Sequence, residues 1–171
     1  MYSFHEKNVI LHKMKTMVKI ENIELPEFPL LLAPMEDVSD PPFRRLCKTH
    51  GADLMFSEFI SSEGLIRDAM KSRQKLDIFD YERPVGIQIF GGDEEAMALS
   101  AKIVETVNPD IVDINFGCPV KKVLGRCRGG FHLSQPEVAI DILRQTRDIV
   151  PPEIPVTVKM RRGIDDSLES R

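Results

Sequence analysis

The stretch "LLLAPMEDVSD", Leu30–Asp40, decides between two ways of building the chain. Leu30–Ala33 reads as a short buried strand, and the residues just after it are the informative ones. An open, doubly wound sheet carries a Gly-rich phosphate turn immediately after its first strand, where the helix N-terminus meets the ligand. "APMEDVSD" has no such turn and offers Pro34, Met35 and Glu36 instead.

Further apolar runs that read as short strands lie at Leu54–Phe56, Val85–Ile89, Ile111–Ile114 and Val156–Val158. Helical patterns separate them at Pro42–His50, Ser61–Asp77 (broken), Asp93–Val107 and Pro136–Val150. This alternation predicts parallel strands covered by helices. Asp93 is placed to cap "EEAMALSAKIVETV", with acidic residues in the first turn, where the helix dipole favours them. Ser134 is placed to cap the helix that starts at Pro136, and Pro151–Pro152 stops it.

Unusual residues come after every strand: Pro34 and Met35, then Ser57 and Glu58, Gln88, Asn115 with Cys118, and Lys159 with Arg161. Polar groups converging from the C-terminal ends of successive strands are the way a TIM barrel assembles a site. The expected fold is therefore an α/β TIM (β/α)8 barrel, of which 171 residues supply an N-terminal fragment with about five of the eight strands. Residues 1–16 lack period and turn signals and read as an extension with little structural role. Residues 17–171 read as the partial barrel, opening on the strand-like run "VKIENIEL".

Composition excludes several classes. An apolar share of 42% is that of a globular domain. No window is long and apolar enough to span a membrane, and Val9–Leu11 is too short for a signal-peptide core. The three cysteines form no CxxC pair and are odd in number, which argues for free thiols in a reducing, cytoplasmic setting and against a disulfide framework or a metal site. The net charge of −4 opposes nucleic-acid binding except through a local patch.

Such a patch exists in "VDINFGCPVKKVLGRCRGG", Val112–Gly130. Here Lys121, Lys122, Arg126 and Arg128 crowd the loop after the fourth strand, close to Cys118. A thiol between glycine and proline at a strand end can act as nucleophile or proton donor, or can be a small buried hydrophobe. Lys159 ends an apolar strand, where an inward ammonium needs an anionic or electron-rich partner and an outward one snorkels past the rim. Gln88 and Asn115 put amides where apolar residues are expected. Three polar strand ends in succession outline a hydrogen-bonding floor suited to a planar heterocycle. Cys47 reads as core, His50 as a helix-end cation, and His132 as solvent-facing.

The segments "APMEDVSDPPFRRLC", "GADLMFSEF", "PVGIQIFGGD", "DINFGCPVKKV" and "VTVKMRRG", in this order, resemble the tRNA-dihydrouridine synthases from about Leu31 to Gly163. The resemblance implies an FMN-containing TIM barrel with a helical C-terminal domain, reducing uridines of tRNA with NADPH as reductant. It implies that Pro34, Met35 and Glu36 line the flavin, that Gln88 and Lys159 bind its ring, that Asn115 holds the uracil and that Cys118 donates a proton. Lys121, Lys122, Arg126 and Arg128 would then meet tRNA phosphates. "LGRCRGGFHL" departs from the family's run of small residues followed by two leucines, with Cys127 and Arg128 at small-residue positions and Phe131 and His132 near the leucines. The family's second half-barrel, with its histidine and FMN-phosphate loops, has no counterpart in these residues, so the chain alone is expected to bind FMN weakly, to turn over poorly and to expose sheet edges open to self-association. A dihydroorotate dehydrogenase-like FMN barrel and an inactive RNA-binding remnant are the competing readings.

Overall fold

The computed structural model describes residues 17–118 and 129–162. The extension at 1–16 and the basic residues Lys121, Lys122, Arg126 and Arg128 lie outside the described residues.

"VKIENIEL" forms a hairpin rather than one strand. Strand β1 (Val18–Ile20) pairs antiparallel with β2 (Ile23–Leu25), and Ile20 faces Ile23 across the turn. Glu21 turns the chain at φ 50°, a left-handed conformation that few non-glycine residues adopt. No glycine advertises this turn, and so the sequence reads through it.

The remaining strands form one parallel sheet. β3 (Leu31–Leu32), β4 (Leu54–Phe56), β6 (Val85–Phe90), β7 (Ile111–Phe116) and β8 (Val156–Met160) lie side by side in chain order. The short β5 (Ile60–Ser61) runs along the far end of β6, pairing with Ile89 and Phe90, while β4 pairs with its start. In the gap between them the Ser57 hydroxyl accepts the Gln88 N–H at 3.3 Å. The strand order never reverses, whereas a doubly wound sheet reverses at its switch point. The molecule is an α/β half-barrel of five successive parallel strands, a partial TIM barrel.

Helices α1 (Pro41–Thr49), α2 (Ser62–Ile66), α3 (Met70–Gln74), α4 (Glu94–Glu105) and α5 (Pro136–Ile149) supply the crossovers. Asp93 caps α4 by accepting the Ala96 N–H at 2.7 Å, and Asp40 caps α1 by accepting that of Phe43 at 3.0 Å. Ser134 does not cap α5. The N-cap is Gln135, without a side-chain bond, and the Ser134 hydroxyl donates to the Phe131 carbonyl, because a short 3-10 turn over Gly129–Ser134 takes it first. Arg147 closes the other end of α5 by donating to the carbonyls of Val150, Pro151 and Ile154.

Strand alternation sorts the two faces of the sheet. Ile87, Ile89, Val112, Ile114 and Phe116 point outward into a core shared with Met97, Ala101 and Val104 of α4 and Ile142 of α5. Each such side chain, fully buried, contributes roughly 1.5–3 kcal/mol. The opposite face lines the barrel interior. At its N-terminal end Leu54 and Ile111 pack with Leu25 of the hairpin, and Phe56, Ile20 and Ile23 lean on them. Gly86 makes room there, since a Cβ on it would lie 2.6 Å from the Phe56 ring. Asn22 donates to the Glu153 carbonyl just ahead of β8, so the hairpin stops the N-terminal end of the interior.

A buried ion pair joins α1 to the segment before β6. Arg44 and Glu82 have side chains 1% and 0% exposed. The guanidinium meets the carboxylate through Nε at 2.5 Å and through a terminal nitrogen at 2.9 Å. Its remaining donors reach the carbonyls of Ser39 at 2.8 Å and Asp77 at 2.7 Å.

Candidate active site

One layer toward the C-terminal ends of the strands, the interior face turns polar. Gln88, Asp113 and Thr157 stand opposite one another on β6, β7 and β8, and Asn115 faces Lys159 two residues further on. The side chains of Thr157, Asp113, Gln88 and Asn115 form a continuous hydrogen-bonded chain. Thr157 donates to Asp113 Oδ1 at 2.6 Å, and Gln88 Nε2 donates to Asp113 Oδ2 at 2.5 Å. Asn115 Nδ2 donates to Gln88 Oε1 at 2.8 Å. Finally Asn115 Oδ1 accepts the backbone N–H groups of Gly117 and Cys118, each at 3.0 Å.

The polarity of this chain is fixed by chemistry rather than by choice of amide orientation. A backbone N–H can only donate and an ionised carboxylate can only accept. Those two ends agree on one direction for both amides. Gln88, Asp113 and Asn115 are all buried, which makes the satisfied network the condition for placing them there. Burial pushes the Asp113 carboxyl above its ordinary range, against the opposing effects of Thr157, Gln88 and the Lys159 ammonium.

The turn after β7 is set by Asn115. An asparagine whose carbonyl accepts N–H groups two and three residues on folds its own loop entry. Cys118 therefore leaves the sheet one hydrogen bond from the polar floor, half-buried and not in a disulfide. Gly130 returns the chain to it by donating to the Cys118 carbonyl at 3.1 Å, and a Cβ on Gly130 would sit 3.2 Å from that oxygen.

His132 is not solvent-facing. It is 2% exposed, its ring centroid lies 4.7 Å from that of Phe116, and its Nε2 is 2.9 Å from the Gly91 carbonyl oxygen. The 3-10 turn over Gly129–Ser134 brings the ring against Phe116. Burial pulls its pKa below the ordinary imidazole value, and its Nδ1 has no partner among the described residues.

On the other side of the sheet, the loop after β3 carries Pro34, Met35 and Glu36. The Ser39 hydroxyl accepts the Met35 N–H at 2.9 Å and donates to the Met35 carbonyl at 3.0 Å. Glu58 accepts the Asp37 N–H at 2.7 Å, and Lys75 bridges Glu36 at 2.7 Å and Glu58 at 3.6 Å. Glu36 is thus an exposed, ion-paired residue beside a cleft of about 730 Å³ whose walls include Glu58, Phe59, Lys71, Lys75 and Phe90. Cys47, read as core, is only half-buried on α1 and belongs to neither apolar cluster.

The structure brings Gln88, Asn115, Cys118 and Lys159 together across three adjacent strands, and Pro34 and Met35 come after β3 at the same end of the sheet. Asp113 and Thr157 are the members of this network that sequence reasoning missed. The signal was present: Asp113 lies two residues before Asn115, on the same face of a six-residue strand buried throughout.

Residues 31–171 match the family model for dihydrouridine synthases. The chain belongs to the dihydrouridine synthase family. Relatives in this family agree along most of its length. A probable tRNA-dihydrouridine synthase of Rickettsia prowazekii (strain Madrid E) is 42% identical over 152 residues, which is 88% of this chain and 46% of the relative. The tRNA-dihydrouridine synthase B of Pseudomonas syringae pv. tomato is 38% identical over 136 residues, covering 80% and 40% of the two chains. A probable tRNA-dihydrouridine synthase of Aquifex aeolicus is 39% identical over 139 residues, covering 80% and 43%. The chain spans about half the length of the relatives it matches. No described helix is long and apolar enough to cross a membrane.

Proposed function

We propose that residues 17–171 form the N-terminal part of the catalytic barrel of a cytoplasmic, FMN-dependent tRNA-dihydrouridine synthase that uses NADPH as reductant. The observation that carries this reading is the donor-rich polar floor set one hydrogen bond from a free thiol. In the described structure Gln88 and Asn115 each commit one N–H of the side-chain amide within the network and keep a second. With Lys159 opposite Asn115, this donor set suits the acceptor-rich edge of a flavin or of a uracil.

In this reading Gln88 and Lys159 hold the flavin ring, with Pro34, Met35 and Glu36 along its flank, and Asn115 holds the uracil. FMN, when bound, supplies the reducing equivalents that NADPH has delivered to it. Cys118 carries a proton at Sγ and releases it to the uracil carbon that completes saturation of the 5,6 double bond. Its position depends on Asn115, whose Oδ1 fixes the turn at Gly117 and Cys118. Lys121, Lys122, Arg126 and Arg128 hold tRNA phosphates around the thiol, which turns a local basic loop on an acidic chain into a docking patch. The target uridine leaves its stack to reach the site.

The test is dihydrouridine formation in tRNA. Cys118→Ala is expected to lower turnover by about 10²- to 10⁴-fold while flavin affinity stays unchanged. Unchanged turnover in that variant would remove Cys118 from the chemistry.

A further inference from the structure

We infer that Asp113 is a positioning residue: its carboxylate grips the Gln88 amide from the side opposite Asn115, so that Gln88 presents its remaining N–H to the ligand in one fixed direction. This role rests on the reading that a flavin ring lies over Gln88.

Gln88 has three rotatable side-chain bonds, and it is fully buried on the interior face. Freezing such a side chain costs rotamer entropy, and the bonds at its tip must supply the compensation. Two are available. Asn115 Nδ2 holds Gln88 Oε1 at 2.8 Å, and Asp113 Oδ2 holds Gln88 Nε2 at 2.5 Å. With Asn115 alone, the amide can swing about its carbonyl oxygen. With both, one N–H is committed and the planar amide geometry sets the direction of the other.

Asp113 is suited to this because it is itself held. Thr157 donates to its other oxygen at 2.6 Å, from the neighbouring strand on the far side. The residue is 3% exposed, so water does not compete for these bonds. A buried carboxyl placed where burial disfavours its charge is a costly way to build a strand, and a valine would serve the strand alone. The chain Thr157–Asp113–Gln88 lies across three strands at one level, which ties the amide to the stiffest part of the sheet rather than to a loop.

What Gln88 requires is an acceptor at position 113. Asp113→Asn keeps one, because Thr157 can turn its hydroxyl to accept from the new amide nitrogen. Asp113→Leu keeps the branching at Cγ and removes the acceptor.

The experiment observes the Gln88 side-chain amide by nitrogen–proton correlation NMR in the full chain, and in parallel titrates FMN by quenching of its fluorescence. In the wild type the two Gln88 Nε2 protons should give well-separated resonances, with one shifted downfield by the carboxylate. In Asp113→Leu that separation should collapse and the FMN dissociation constant should rise about tenfold or more. In Asp113→Asn the separation should persist, with affinity within about threefold of wild type. The backbone amide resonances of Gly117 and Cys118, held by Asn115, should stay in place in both variants and report an intact fold. Asp113→Leu with an unchanged Gln88 signal overturns the role, as does Asp113→Asn behaving like Asp113→Leu. An absence of FMN quenching by the wild type would instead count against the flavin reading, and the resonance comparison would still decide the role of Asp113.

Discussion

Replacing Arg44 by methionine tests how the loop after β3 is held. In the native chain the guanidinium compensates a Glu82 side chain that is 0% exposed, and its other donors satisfy the carbonyls of Ser39 and Asp77. Methionine fills much of the same volume and supplies none of these bonds. Glu82 then keeps only the Phe79 N–H, at 2.8 Å, as a partner among the contacts described. Breaking a buried pair from one side costs about 3–5 kcal/mol, against a total of about 5–15 kcal/mol for a whole domain. The variant should unfold at much lower urea, monitored by circular dichroism. The double variant Arg44→Met/Glu82→Leu removes the stranded charge but leaves the Ser39 and Asp77 carbonyls and the Phe79 N–H unpaired. It should therefore regain about 2 kcal/mol over the single variant and not the whole loss. The effect should also reach the site, because Ser39 holds Met35 through both its N–H and its carbonyl. A single variant that costs less than about 1 kcal/mol would mean that the pair behaves like an exposed one and that the loop is held by other contacts.

The site yields two more expected outcomes. His132 has its pKa lowered by burial, so its contribution is fully present above the ordinary imidazole value of 6.5 and is lost as pH falls from there through the depressed folded value. The melting temperature of the native chain should fall over that window, and His132→Leu should flatten the fall; equal slopes in the two proteins would show that another group is responsible. In the basic loop, replacing Lys121 and Lys122 by glutamine should weaken tRNA binding and reduce the slope of log affinity against log salt by about one for each lysine that meets a phosphate. An unchanged slope would place those lysines away from the RNA.

The order of strands and helices was legible because each strand is a short apolar run and each crossover helix carries its own punctuation. Asp93 caps α4 as its sequence position implies, and the strand at Leu54–Phe56 has the bounds read from its apolar run. Gln88 and Asn115 stood out as amides inside apolar segments. The features that were not legible depend on contacts between distant residues. Arg44 and Glu82 are 38 positions apart and look like ordinary surface charges until the loop before β6 folds over α1. Asp113 escaped notice because an acidic residue beside apolar ones also fits a polar outer face, and only the register with Gln88 and Thr157 shows that it faces inward. His132 misled for a related reason: a histidine after two glycines looks like a loop residue, yet the turn that those glycines allow carries it under Phe116.

Unequal coverage of the strands sets the order in which the molecule opens. β7 is buried along all six residues and β6 along five, whereas β3 is two residues long and the end of β8 is exposed. Amide protons should therefore be surrendered to heavy water from the flanks inward, with the central pair last. Gln88, Asp113 and Asn115 ride on the strands that should open last, while Met35 follows β3 and Lys159 ends β8, the two that should exchange first. The floor of the site is in this sense a permanent fixture of the fold, and its two rims are hinged.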